Sequence, residues 1–454
     1  MTTTIFSGKS EPIESAQDLL TIFKSSEKPP QQWRVGTEHE KLGFYRDTLQ
    51  PVPYAGERGI SALLAGFVEK FGWEPVAEGE QIIALLRDDA AITLEPGGQF
   101  ELSGAPMFTA HDTCQELHQH LQELRDLSEP LGITWLASGR NPLIASSEMP
   151  WMPKERYEIM RRYLPTRGGH AMDMMTGTGT VQTNLDYSSE ADMARKLYVA
   201  FAIAPFLTAL FANSPFAEGK PSGYLSTRGK VWLDVDGDRS GIIPAVFRED
   251  FGYQDYVDYA LDVPMFFIHR DGHYRDYAGH SFRNFMADGL DGYTATLDDW
   301  TLHLTTIFPE ARLKNIIELR MADMGPTAMV CAFAAVSRGL LYDETALDSA
   351  VALLRKVKLE DYPQLQEDTA RIGLRAEVAG RPVREWLRDL ISIAASGLER
   401  LNAQDEQGEN EGKFLEPLRR IVDTGKTQAD LLLDRWNGEW NQSMEPLFSS
   451  EFVL

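Results

Sequence analysis

Ile92-Thr93-Leu94-Glu95-Pro96-Gly97-Gly98-Gln99-Phe100-Glu101-Leu102-Ser103-Gly104 reads as two strands reversed by a Pro-Gly-Gly turn. Side chains alternate between the two faces of a strand, so Thr93 and Glu95 share one face while Ile92 and Leu94 share the other. In the second strand Gln99, Glu101 and Ser103 oppose Phe100 and Leu102. Two carboxylates and an amide therefore converge on one sheet surface. Upstream, Val35-Gly36-Thr37-Glu38-His39-Glu40 puts Glu38 and Glu40 on a common face. Far downstream, Asn315-Ile316-Ile317-Glu318-Leu319-Arg320 does the same for Glu318 and Arg320. Like charges so placed repel unless something positive lies between them, and a hard cation with oxygen ligands removes that repulsion. Magnesium carrying a phosphate-rich ligand is the leading expectation.

The 454 residues are long enough for a large core, and 43% hydrophobic with 10% aromatic content is that of an ordinary globular protein. A net charge of -24 argues against nucleic acid or an anionic membrane as partner, so an anionic substrate must be drawn by local arginines and bound metal. The segment Met1 to Lys9 has neither the apolar run of a secretory signal nor the Arg-rich pattern of a transit peptide. The longest apolar stretch, Leu197 to Ala212, falls short of the ~18 uninterrupted residues a membrane span needs and contains Pro205. These features predict a cytoplasmic protein. In that reducing setting Cys114 and Cys331 read as two buried, unpaired thiols.

Helical spacing occupies Glu14 to Ser25, Ser61 to Phe71, Ala110 to Leu131, Glu155 to Leu164 and Glu190 to Phe211. Strands fall at Ile133 to Ser138 and Thr180 to Tyr187, and Phe266 to Tyr274 reads as a hairpin turning on Asp271-Gly272. Beyond Gly339 strand signals disappear. Leu347 to Val357, Val383 to Leu401 and Phe414 to Arg435 are helix-like, with Gln404 to Gly412 a flexible polar loop. The expected fold class is α+β in one catalytic domain: a helical arm over 1–30, a sheet-bearing core over 31–340 and a helical region over 341–454.

In the strand Thr180 to Asp186, Gln182, Asn184 and Asp186 lie opposite Val181 and Leu185, and this face is either a ligand surface or the solvent side of an edge strand. Glu38, Glu40, Glu95, Glu101 and Glu318 supply more carboxylates than one magnesium ion uses, so two or more ions are expected. Arg320, two residues after Glu318, is placed to stabilise a phosphoryl group in flight. Arg228 follows the small-residue segment Gly223 to Thr227, where its fork has room to grip a ligand carboxylate. Arg156, Arg161 and Arg162 are further anion candidates. P-loop, nucleophile-elbow, His-Glu-x-x-His and Cys-x-x-Cys patterns do not occur.

Several segments resemble glutamate-cysteine ligases of the plant and proteobacterial type: Gly36-Thr37-Glu38-His39-Glu40-Lys41, Leu94 to Gly104, Met172-Asp173-Met174-Met175, Thr180 to Asp186, Phe211 to Phe216, Asp258 to Pro264 and His303 to Pro309. The resemblance implies a glutamine-synthetase-like fold, a curved antiparallel sheet lining a funnel. It implies ATP-dependent joining of the L-glutamate γ-carboxylate to the amino group of L-cysteine, the first step of glutathione synthesis. Carried over residue by residue, it makes Glu38, Glu40, Glu95, Glu101 and Glu318 magnesium ligands, with Gln99 and Gln182 beside them. Arg228 would hold the glutamate α-carboxylate, Arg320 would face the transferred phosphoryl group and Arg156 would be a further anion contact. Met175 and Phe266 are candidates to line the cysteine pocket. Plant members have two disulfides; one pair has counterparts here, so Cys114 and Cys331 are expected as neighbours able to form a reversible bridge. The expected assembly is a monomer or weak homodimer, with Gly168-Gly169 and Asp236 to Gly241 as mobile parts. Two other readings fit the same residues: a γ-glutamyl ligase for another amine, and an acidic protein that holds divalent ions without catalysis.

Overall fold

The computed structural model describes residues 11–454, so the Met1 to Lys9 segment lies outside the described residues. Among these, nine strands join into one sheet: β1 (Val35–Tyr45), β2 (Glu74–Glu78), β3 (Gln81–Arg87), β4 (Ala90–Leu94), β5 (Phe100–Ser103), β6 (Ile133–Leu136), β7 (Thr180–Leu185), β8 (Ala311–Leu313) and β9 (Ile317–Asp323). Their order is β8-β9-β7-β1-β5-β4-β3-β2, with β6 pairing the C-terminal part of β1, and neighbouring strands run antiparallel throughout. Helices are interleaved with these strands and continue beyond the last of them, and the expected α+β class with a large antiparallel sheet is the one observed.

The Pro-Gly-Gly turn is real and tight. Gly98 has φ of 87°, and its amide donates to the Glu95 carbonyl at 2.9 Å, a conformation that costs glycine little. At Gly97 a β-carbon would stand 2.2 Å from the Thr176 carbonyl oxygen, so only glycine lets the turn sit against the helix Ala171–Gly177. The hairpin Phe267–Arg270/His273–Asp276 also forms where expected, with φ of 53° at Asp271 and 81° at Gly272.

Behind the sheet lie helices whose ends are set by local chemistry. Ile60–Phe71 stops at Gly72, φ 70°. Ala110–Ser128 starts with a capping box in which Thr109 and Asp112 exchange hydrogen bonds. Glu190–Leu210 is apolar on nearly all sides because it is a core helix, with most of its residues buried. Cys331, in the helix Thr327–Leu341, is bonded to Cys114 in Ala110–Ser128 with 5.3 Å between α-carbons, which corrects the reading of two unpaired thiols.

Other departures are local. The Glu14 to Ser25 helix is two single turns, Ala16–Leu19 and Thr21–Lys24, and Phe414 to Arg435 is broken at Gly425, φ 72°. The helix Tyr362–Ile372 and strand β8 had no clear sequence signal. The polar run Gln404 to Gly412 is anchored at Glu411, which is fully buried, pairs with Arg338 and accepts the Ala110 amide at 2.6 Å. The chain end returns to the sheet, where the Leu454 amide donates to the Trp135 carbonyl at 2.9 Å.

Candidate active site

Register converts alternation into a site. Across the strands, Gln182 stands opposite Glu38, and Glu38 opposite Ser103. One step along, Glu40 stands opposite Glu101, and Glu101 opposite Thr93. A third row runs from Arg312 through Glu318 to Asn184. Directly opposed residues share a face, so residues more than 130 positions apart in sequence become neighbours on one sheet surface.

A pocket opens on that face. Glu40, Glu95, Gln99 and Gln182 supply its oxygen and amide groups, Arg228 and Arg320 its positive charge, and Met174, Met175, Trp232 and Phe308 its apolar wall. The pairing register shifts between Leu319 and Ala322, so Arg320 sits at a bulge that turns it inward, where it reaches Gln182 at 2.9 Å and also Glu318. Arg228 lies in the first turn of the helix Thr227–Trp232, capped by the Ser226 hydroxyl. Its Nη2 donates to the Arg320 carbonyl at 2.8 Å. The Nε groups of Arg228 and Arg320 are buried with no hydrogen-bond partner, a pair of donors suited to an incoming carboxylate or phosphoryl group. Asp323 anchors this corner from behind, accepting from Ser214 at 2.6 Å and Ser226 at 2.8 Å.

The acids differ in what surrounds them. Burial pushes the Glu40 carboxyl well above the usual range, and the charges of Glu101 and then Glu95 push it further, against Arg228. Its orientation is fixed by the Thr180 amide at 3.1 Å. Glu101 accepts from the Thr93 hydroxyl at 2.5 Å. Glu38 accepts from Asn184 at 2.8 Å and lines a neighbouring cavity with Asn184 and Lys314. Glu318 does not line the pocket: burial alone would raise it, but Arg312, then Lys314 and Arg320, hold it well below the carboxylate range. Gln99 reaches the pocket with its amide engaged, accepting from Gly97 at 2.9 Å and donating to the Thr178 carbonyl at 2.9 Å.

The crowding of Glu40, Glu95 and Glu101, in which burial and the neighbouring acids push Glu40 toward its neutral form, fits a divalent cation that would offset the repulsion. Among the described residues no three carboxylate, imidazole or thiolate groups are gathered closely enough to hold an ion alone, so an ion here takes part of its oxygen shell from water or ligand, as magnesium commonly does.

Three expected contacts fall elsewhere. Phe266 does not line the pocket; it is buried under the Arg239 guanidinium, 3.8 Å from its ring centre. Arg156 is buried beside the Tyr157 ring and is not among the lining residues. Asp186 is occupied by Lys28 at 2.7 Å and the Arg34 amide at 2.7 Å. Gly168-Gly169 and Asp236 to Gly241 belong to one packed corner, where Arg167 meets Asp236 at 3.4 Å and the Gly169 amide meets Asp234 at 3.1 Å. Residues that sequence reasoning passed over include Trp232, four positions after Arg228 and hence on its side of the helix. Asp173 was another; held low at about 2 against burial by Ser146, Arg140 and His170, it fixes the helix that carries Met174 and Met175.

Residues 34–450 match the model of Glutamate-cysteine ligase family 2 (GCS2). The chain belongs to this family. Curated family relatives include the chloroplastic glutamate-cysteine ligases of Nicotiana tabacum and Brassica juncea, each 46% identical over 441 residues. The alignments cover 96% of this chain and 83% and 84% of the relatives. A solved glutamate-cysteine ligase from Francisella tularensis, in complex with AMP, shares the fold with a TM-score of 0.55 at 13% identity, covering 94% of this chain and 90% of that one. The names of the plant relatives place them in the chloroplast, which overturns the expected cytoplasmic location.

Proposed function

We propose that this chain joins the γ-carboxylate of L-glutamate to the amino group of L-cysteine with ATP, through a γ-glutamyl phosphate, as the first step of glutathione biosynthesis. The observation that carries the reading is the meeting of Glu40, Glu95, Gln182, Arg228 and Arg320 around one pocket, in a chain of this family. A carboxylate cannot expel oxide, so it must first receive a phosphoryl group whose departure is easy. Arg320, held by Gln182 and Glu318, stabilises charge on the group in transfer, and Arg228 uses its unpaired Nε to hold the glutamate α-carboxylate. Magnesium, held by Glu38, Glu40, Glu95, Glu101 and Glu318 with Gln99 and Gln182 beside them, would offset repulsion between triphosphate and carboxylate. The Met174, Met175, Trp232 and Phe308 wall keeps water from an acyl phosphate.

Purified protein incubated with ATP, magnesium and a panel of amino acids tests this. ADP release requiring both glutamate and cysteine, with γ-glutamylcysteine found by mass spectrometry, is the expected result. Preference for another amine would reassign the acceptor, and no ADP release would remove the ligase reading.

A further inference from the structure

We propose that Lys41 is a positioning residue that locks the Glu40 and Glu101 carboxylates in place from the back of the sheet, with His120 completing its seat. The role of those carboxylates rests on the ligase reading above; the seat itself rests on the geometry alone. Lys41 follows Glu40 on β1, so its side chain leaves the opposite face, where it is completely buried. Lysine is almost never fully buried without partners, and here Nζ has three. It donates to the His39 carbonyl at 3.0 Å and the Phe100 carbonyl at 3.3 Å, and it lies 3.1 Å from His120 Nε2.

Those two carbonyls belong to the peptide groups immediately before Glu40 and Glu101. The register pairs Glu40 with Glu101 and Lys41 with Phe100, so one ammonium ties together the two peptides from which the opposed carboxylates project. The carboxylates repel each other, and the Lys41 seat holds their two peptide groups in register against that repulsion without occupying the pocket. An ammonium has three donors; the third needs a lone pair, which His120 Nε2 supplies when its proton is on Nδ1. The His120 ring packs beside both Phe67 and Phe100 in near-parallel planes, with centroids 6.1 and 6.2 Å away. A filler role alone is better served by methionine, which carries no desolvation cost.

Lys41→Met removes the ammonium, His120→Leu removes the third acceptor, and His120→Gln restores a polar group there. Half-saturating magnesium for ADP release is measured, and calorimetry of Mn-ADP binding gives a readout independent of turnover. Both apolar variants are expected to weaken metal dependence and Mn-ADP affinity by about 10-fold or more, with His120→Gln close to wild type. Folded Lys41→Met and His120→Leu proteins with unchanged metal dependence and Mn-ADP affinity overturn the proposal, as does a lower urea midpoint with both quantities unchanged. If Lys41→Met does not accumulate folded, His120→Leu decides. If wild type releases no ADP with glutamate and cysteine, the ligase reading fails while the calorimetry still decides on Lys41.

Discussion

Arg312 grips both carboxylate oxygens of Glu318 across a rung of β8 and β9, Nε to Oε2 at 2.8 Å and Nη2 to Oε1 at 2.8 Å, and both side chains are fully buried. With Lys314 at 3.1 Å and Arg320 also in contact, this acid is compensated by three cations. Its proposed share in holding metal must therefore be exercised from within an ion-pair cluster, whereas Glu40 faces two further acids.

Removing one member of a buried pair leaves the other charge stranded. Arg312→Met should lower stability by about 3–5 kcal/mol, read from urea unfolding midpoints. A loss below ~1 kcal/mol would show that Lys314 and Arg320 suffice for Glu318.

Glu95→Gln and Glu40→Gln keep shape and remove charge. The fold should survive in each, since repulsion within the acidic group falls, while ADP release with glutamate and cysteine drops at least about 10–100-fold. Unchanged activity in either variant removes that residue from the metal set.

Burial pushes Glu310 up to about 7, against Arg228, Gln366 and Arg320. A carboxyl raised in the folded state favours folding most when protonated, so its contribution is present below its ordinary value of 4.5 and is lost as pH rises to about 7. Glu310→Gln should flatten this part of the stability profile. Urea midpoints of the two proteins that run parallel over this range would refute the assignment.

Arg228→Lys preserves charge but loses the planar fork. We expect the KM for L-glutamate to rise about 10–100-fold, with a smaller change for cysteine, because a charge-assisted contact is worth about 1.5–3 kcal/mol. A change confined to the KM for cysteine would place Arg228 at the other substrate.

The Cys114–Cys331 bond joins positions 217 residues apart. In the chain-entropy limit, such a loop stabilises by about 5 kcal/mol through the unfolded state. Comparing urea midpoints with and without dithiothreitol measures it, and coincident curves would mean the unfolded chain gains no freedom on reduction.

Strands β1, β4, β5 and β7 were legible because their polar and apolar residues alternate, and the Pro-Gly-Gly and Asp-Gly turns because their φ requirements leave few other residues. β8 is only three residues, too short for periodicity to register, so Arg312 went unnoticed. Phe266 looked available from sequence because an aromatic beside a hairpin carries no mark of the arginine that covers it.

By itself the sequence determined which residues share a strand face, because the two-residue repeat of an extended chain is local and Glu38, Glu40, Glu95, Glu101 and Glu318 obey it. Only the tertiary structure decided what each acid meets. The turn between β8 and β9 and their register bring Arg312, Lys314 and Arg320 to Glu318 from within six residues, whereas strand order leaves Glu40 opposite Glu101 with Lys41 behind them, a pairing of positions far apart in the chain that no local pattern encodes.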